Sequence, residues 1–209
     1  MYNSYLEHSE WSIIESGFKK ENHMSSESIF SLGNGIFGQR GNFEEDYSGY
    51  KLDGNYVGGI FFPDKTKVGW WKVGYPNYFA KTVNCPSWIR LSIKLDGELL
   101  DLNKIKVNSY RKELNMKHGV LRRTFECELI NGKKIKVESE RFISLKIQEV
   151  GMLRYTITSL NSDCDIAIKS FIDENVVNVD SNWNEQFLKT EKIIQNDNST
   201  FIKSKVLKT

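Results

Sequence analysis

Glu27-Ser-Ile-Phe-Ser-Leu-Gly-Asn-Gly-Ile-Phe-Gly-Gln-Arg-Gly41, followed by Asn42-Phe43-Glu44-Glu45, is the stretch from which the fold is read. Gly33, Gly35, Gly38 and Gly41 are interleaved with Leu32, Ile36 and Phe37. Glycines beside apolar residues describe a backbone that is buried yet sharply bent, because glycine tolerates positive φ and close backbone approach. Asn34-Gly35 is a strong tight-turn dipeptide. The expectation is a strand over Ile29 to Leu32, a turn over Gly33 to Gly35 and a return over Ile36 to Gln39. Arg40 is the charged member of this run. It is expected to pair with Glu27, Glu44 or Glu45, or to bond turn carbonyls, and a structural ion pair outweighs a contact to a ligand or neighbouring domain. A phosphate loop is rejected, since no Gly-Lys-Ser/Thr and no helical pattern follow.

Outward from this stretch the chain reads as hairpins. Trp11 to Glu15 is a short strand candidate, Lys19 to Ser26 a polar loop, and Gly49 to Phe62 a bent strand region. Ile89, Leu91, Ile93 and Leu95 alternate with Arg90, Ser92 and Lys94, the period of a half-buried strand. Turn signals follow at Asp96-Gly97, His118-Gly119 and Asn131-Gly132. Between and after them, Val107 to Leu114, Leu121 to Leu129, Met152 to Leu160 and Asp165 to Ile172 are strands. Helix signals are weak throughout. The implied class is all-β, an antiparallel sandwich. Pro63 to Pro86 is an aromatic-rich excursion with no clean period, of a kind that is functional or packs beneath a domain. Thr200 to Thr209 alternates as a strand that stops without a return partner, which suggests a truncated chain.

Composition excludes several classes. The chain has 209 residues, enough for one domain with a substantial core, and 39% hydrophobic against 27% charged residues fits a globular protein. A net charge of +2 makes no electrostatic case for nucleic acid or a membrane surface. No apolar run reaches the ~20 residues of a membrane helix. The N-terminus has neither the basic start nor the apolar core of a signal peptide. Cys85, Cys127 and Cys164 are odd in number and widely spaced, which reads as free thiols in a cytoplasmic protein rather than a disulfide frame or zinc site.

The opening signature resembles that of glycoside hydrolase family 65. The likeness continues in Trp70-Trp71-Lys72, in Gly74-Tyr-Pro-Asn-Tyr-Phe79, in Asn84-Cys-Pro-Ser-Trp88, and in motifs within 114–123, 138–145 and 172–178. It departs at Asp173-Glu174, where the family has Asp-Gly. The resemblance implies a super-β-sandwich of the galactose mutarotase-like kind, the N-terminal domain (1–209) of a larger enzyme. Its general acid, on a helical (α/α) barrel, is absent from this chain. It further implies a disaccharide phosphorylase as parent, inorganic phosphate as co-substrate, no metal or organic cofactor, the barrel as partner and a homodimer.

The candidate sites follow from these readings. No catalytic residue is assigned: Glu44/Glu45 and Glu138/Glu140 are carboxylate pairs, but Glu138 and Glu140 alternate on a strand as a solvated face does, and the three histidines share no metal or triad spacing. Trp70, Trp71, Tyr75, Tyr78 and Trp88 are sugar or interface candidates, with Asn175, Asn178 and Trp183 as a polar cluster. Gly33, Asn34, Gly35, Gly38, Arg40 and Glu44 form the structural motif. A free-standing carbohydrate-binding module is the alternative, and a mutarotase-like enzyme lacks suitable acid–base material.

Overall fold

A computed structural model describes residues 5–66, 74–179 and 186–207. The strands in chain order are β1 (Leu6–His8), β2 (Ser12–Ser16), β3 (Leu32–Gly33), β4 (Phe37–Gln39), β5 (Asn55–Val57), β6 (Phe61–Lys65), β7 (Tyr78–Thr82) and β8 (Ser87–Leu95). They continue as β9 (Glu98–Leu99), β10 (Lys106–Asn115), β11 (Val120–Glu128), β12 (Lys134–Ile143), β13 (Gly151–Ser159), β14 (Ile166–Asp173), β15 (Leu188–Asn196) and β16 (Ser199–Val206). One α-helix, α1 (His23–Ile29), follows a 3-10 turn at Lys20–Asn22.

All strand pairs among the described residues are antiparallel. A six-stranded sheet runs β1-β2-β10-β11-β12-β13, and a three-stranded sheet runs β14-β8-β9. The core lies where they face each other: Leu91, Ile93 and Leu95 of β8 pack with Tyr110, Phe125, Cys127, Ile135 and Val137. The alternation read from Ile89 to Leu95 is therefore the core face, and all four of its apolar residues are buried. The Asp96-Gly97 turn has positive φ at both central residues (50° and 83°), the geometry of a two-residue hairpin of the right twist. Gly119 and Gly132 likewise have positive φ at the other two predicted turns.

Four expectations are corrected. The predicted loop over Lys19 to Ser26 is the 3-10 turn and most of α1, and Ile29, expected in a strand, ends the helix. The buried face of α1 is His23, Ser26 and Glu27, continued by Phe30, at helical spacing. Three of these are polar, so a hydrophobic-periodicity reading passes over it. Second, the turn spans Asn34 to Phe37: Asn34 N–H donates to Phe37 O, and Asn34 Oδ1 accepts from the Ile36 and Phe37 N–H groups. Gly35 has φ 88°, whereas Gly33 lies within β3. Third, the aromatic excursion contains a hairpin, β6 with β7, in which Pro63 faces Ala80. A two-stranded ribbon has only edges, and so it accommodates a proline. Fourth, β16 does not stop without a return partner: it pairs antiparallel with β15.

A second small core joins that last hairpin to the β5–β7 region. Val83, Cys85, Phe187 and Leu188 gather with Val57, Ile60 and Phe62, and the Phe62 and Phe187 rings stack at 4.3 Å.

If Ile93 anchors the sandwich, Ile93→Ala should cost about 2–5 kcal/mol in urea melts. Ile130, 92% exposed, should lose less than about 0.5 kcal/mol on the same change. Equal small losses would contradict the core assignment.

Candidate functional site

Glu44 and Glu45 sit on irregular backbone between β4 and β5, in the interior against the six-stranded sheet. The Arg123 guanidinium on β11 donates to Glu44 Oε2 at 2.6 Å, to Glu45 Oε1 at 2.5 Å and to Glu45 Oε2. Arg141 on β12 lies 3.1 Å from Glu44 Oε1, and the Tyr155 hydroxyl on β13 donates to Glu45 at 3.1 Å. The Arg123 guanidinium also lies 4.3 Å from the Phe43 ring. Burial pushes the Glu44 carboxyl up, but Arg123 and Arg141 overcome it and hold it below the usual range. Burial opposes the charge on Arg123 too, and Glu45 and Glu44 raise its pKa well above the ordinary value.

The predicted partner, Arg40, is not part of this cluster. Its guanidinium donates to the Ser28 hydroxyl at 2.6 Å, and its own carbonyl accepts from Arg141. Its side chain lies over Gly54, where a Cβ would collide with Arg40 Cδ. Glu27 is satisfied by other donors, the Asn42 amide and the Leu52 N–H, each at 2.7 Å; His23 Nε2 lies 3.2 Å from it without a hydrogen bond. Lys112 completes the interior charge: its ammonium donates to Gly41 O at 2.6 Å, over the Phe30 ring. Burial, then repulsion from Arg141, lowers its pKa to about 7, against the pull of Glu15 and Glu27.

These carboxylates are enclosed and ion-paired, so none of them can reach a solvent-borne glycosidic oxygen as an acid must. Glu140 faces outward and bonds Arg122 and Arg154, as a solvated strand face does. Among the described residues no group of three His, Cys, Asp or Glu could hold a metal ion.

The aromatic and amide candidates separate in space. Trp70, Trp71 and Trp183 lie outside the described residues. Tyr78 is an exposed residue of β7, and Tyr75 packs edge-on against Phe79 beside it. Asn178 is buried and structural: its Oδ1 accepts from Asn84 N–H and its amide donates to Thr82 O. Asn175 is exposed, its N–H bonded to Asp173. Trp88 stands apart from all of these, half-buried at the start of β8.

Trp88 lines an open cleft of about 450 Å³ with Ile36, Phe37, Asn55, Val57, Glu149 and Gly151. The signature turn supplies one wall, and its Asn34 amide donates to Ser144 O and Gln148 O, both at 2.8 Å. That pair of bonds ties the β12–β13 connection, which carries Glu149, to the turn. Phe37 and Trp88 meet edge-on at 6.4 Å. Asn55 and Glu149 escaped the sequence reading, because neither lies in a run that announces chemistry.

The model for "Glycosyl hydrolase family 65, N-terminal domain" matches residues 13–209. The chain belongs to this family. It is 44% identical to the maltose phosphorylase of Bacillus subtilis over 182 residues, 87% of this chain and 24% of that protein. It is 32% identical to the kojibiose phosphorylase of Halothermothrix orenii, over 94% of this chain and 23% of the relative. A solved structure assigned as a kojibiose phosphorylase from the human microbiome superposes with a TM-score of 0.86 at 31% identity, covering 97% of this chain and 26% of that one. The chain thus spans about a quarter of the length of the relatives it matches. No helix among the described residues is long and apolar enough to cross a membrane.

Two outcomes test the charge assignments. Arg40→Ala should cost less than about 1 kcal/mol in urea melts, since it strands no carboxylate; a larger loss would place Arg40 in the buried network. For Lys112, the fold lowers the pKa from 10.5 to about 7. Between those values the unfolded chain holds a proton that the fold has released, so stability from this group rises with pH across that window. Lys112→Met should remove that rise. An unchanged slope in urea midpoints from neutral to alkaline pH would show that the ammonium is not shut in.

Proposed function

We propose that this chain is the non-catalytic N-terminal β-sandwich of an inverting disaccharide phosphorylase, with no catalytic residue of its own. The observation that carries the reading is the 44% identity to a maltose phosphorylase, spread over 87% of this chain. In that reading the whole enzyme cleaves an α-linked glucosyl disaccharide with inorganic phosphate, giving β-glucose 1-phosphate and glucose. An inverting displacement needs a proton donor at the leaving oxygen and an anion on the opposite face. Both jobs fall to a helical barrel joined to this domain. The interior charge cluster supports the division, because Glu44 and Glu45 are bound to arginines and shut off from solvent. We assign the exposed aromatic residues Phe61, Tyr78 and Phe79 to contact with that barrel or with a second copy in a cytoplasmic homodimer. No metal or organic cofactor enters this scheme.

The test is to incubate the purified chain, and a protein in which a family barrel is joined to it, with maltose, kojibiose, nigerose or trehalose plus phosphate. Glucose 1-phosphate should form only with the barrel present. Turnover by the chain alone, lost on changing one of its own carboxylates, would overturn the reading.

A further inference from the structure

We propose that the outer face of the β6–β7 hairpin, together with the glycine-lined trough beside it, is the docking surface for the helical barrel of the whole enzyme. The proposal rests on the reading above that such a barrel is joined to this domain, and it commits to the barrel over a second copy of this chain.

The two faces of the hairpin differ. Phe61 stands opposite Thr82, Pro63 opposite Ala80 and Lys65 opposite Tyr78. Side chains alternate along a strand, so these six share one face, and all six are exposed. Phe61 is 52% and Tyr78 54% exposed. The other face carries Phe62, stacked on Phe187 in the small core, and Asp64, paired with Lys81. The hairpin is thus anchored by one face and presents two rings on the other.

Beside Phe61 lies an open trough of about 490 Å³. Gly33, Gly35, Gly38, Gly58 and Gly59 line it with Ile36, Tyr56 and Phe61, and no charged residue does. These glycines leave the backbone bare, which lets another chain approach closely. The exposed face of the six-stranded sheet is built otherwise: Lys106 pairs with Glu128, Lys136 with Glu138, and Arg122 and Arg154 with Glu140. Charges matched among themselves suit contact with water. Protruding rings beside a bare, uncharged hollow suit a protein partner, because the centre of an interface is depleted of charge and enriched in aromatic residues.

The connection decides which partner. The matching family model describes an N-terminal domain, and about three quarters of the maltose phosphorylase lies outside the matched part. Val206 of β16 packs in the small core with Ile60 and Phe62, and Leu207 N–H bonds Phe187 O. A polypeptide continuing from β16 therefore leaves from beside the hairpin. A domain tethered there by a short linker meets the hairpin at an effective concentration on the order of millimolar, above that of a second copy in dilute solution. Lys65 is the one charged residue of the six, so the face offers little to a polyanion. The barrel surface that fits it is apolar, with a side chain that enters the trough.

The experiment is hydroxyl-radical footprinting of the unmodified chain and of the same chain joined to the remainder of the Bacillus subtilis maltose phosphorylase. Labelling of Phe61 and Tyr78 should fall at least about fivefold on joining, as rings at the centre of an interface lose contact with water. Met116, 49% exposed between β10 and β11, should keep its labelling. In the chain alone, Phe61→Asp should shift the melting temperature by less than about 2 °C, as expected of an exposed side chain. Four results would each overturn the proposal: unchanged labelling of Phe61 and Tyr78, an equal loss at Met116, a larger shift with Phe61→Asp, or protection in the chain alone that grows with its concentration, which would assign the face to a second copy. Turnover is not read. Protection without phosphorolysis would count for this docking and against the proposed function, and phosphorolysis without protection would do the reverse.

Discussion

The Arg123 guanidinium can occupy the interior of this sandwich only because Glu44 and Glu45 are there to meet it. Taking such a cation out of water costs several kcal/mol, and the fold recovers that cost only with close, multiply bonded carboxylates. The requirement shapes the chain. It draws the segment after the signature turn across the inner face of the six-stranded sheet, where Leu91 N–H bonds Glu44 O and so ties β8 to the same segment. Phe43 and Tyr47 then fill the core on either side. The two sheets are joined through a strip of irregular backbone that charge pairing holds in place.

The same pairing limits what the domain can do. Glu15, Glu27, Glu44 and Glu45 share a region closed to solvent with Lys112, Arg123 and Arg141. An acid in such a cluster stabilises its partner cations, and it cannot exchange protons with a bound substrate. The exposed aromatic rings lie instead on the β6–β7 hairpin, at Phe61, Tyr78 and Phe79.

Much of the sandwich is written in period two. β8 and the hairpins at Asp96-Gly97, His118-Gly119 and Asn131-Gly132 are legible because apolar alternation and positive-φ turn residues agree. The charge cluster is legible in the same pattern. Arg123 falls in phase with Leu121 and Phe125, Arg141 with Val137 and Ile143, and Lys112 with Tyr110. A charged residue at an inward position of a strand signals a buried partner, and that signal points away from Arg40. Helix α1 was illegible because its buried face is His23, Ser26 and Glu27, residues that hydrophobic periodicity does not register. The Trp88 cleft is assembled from four separate segments, and of its lining only Trp88 and the signature pair Ile36-Phe37 carry a signal in sequence.

The most direct test is a double-mutant cycle in urea between Arg123→Met and Glu45→Gln. The account predicts that each single change is strongly destabilising, about 3–5 kcal/mol for Arg123→Met, and that the two together cost at least about 2 kcal/mol less than their sum, because the second removes a group that the first has stranded. Losses that add to within about 0.5 kcal/mol would contradict it, since Arg123 and Glu45 would then contribute independently.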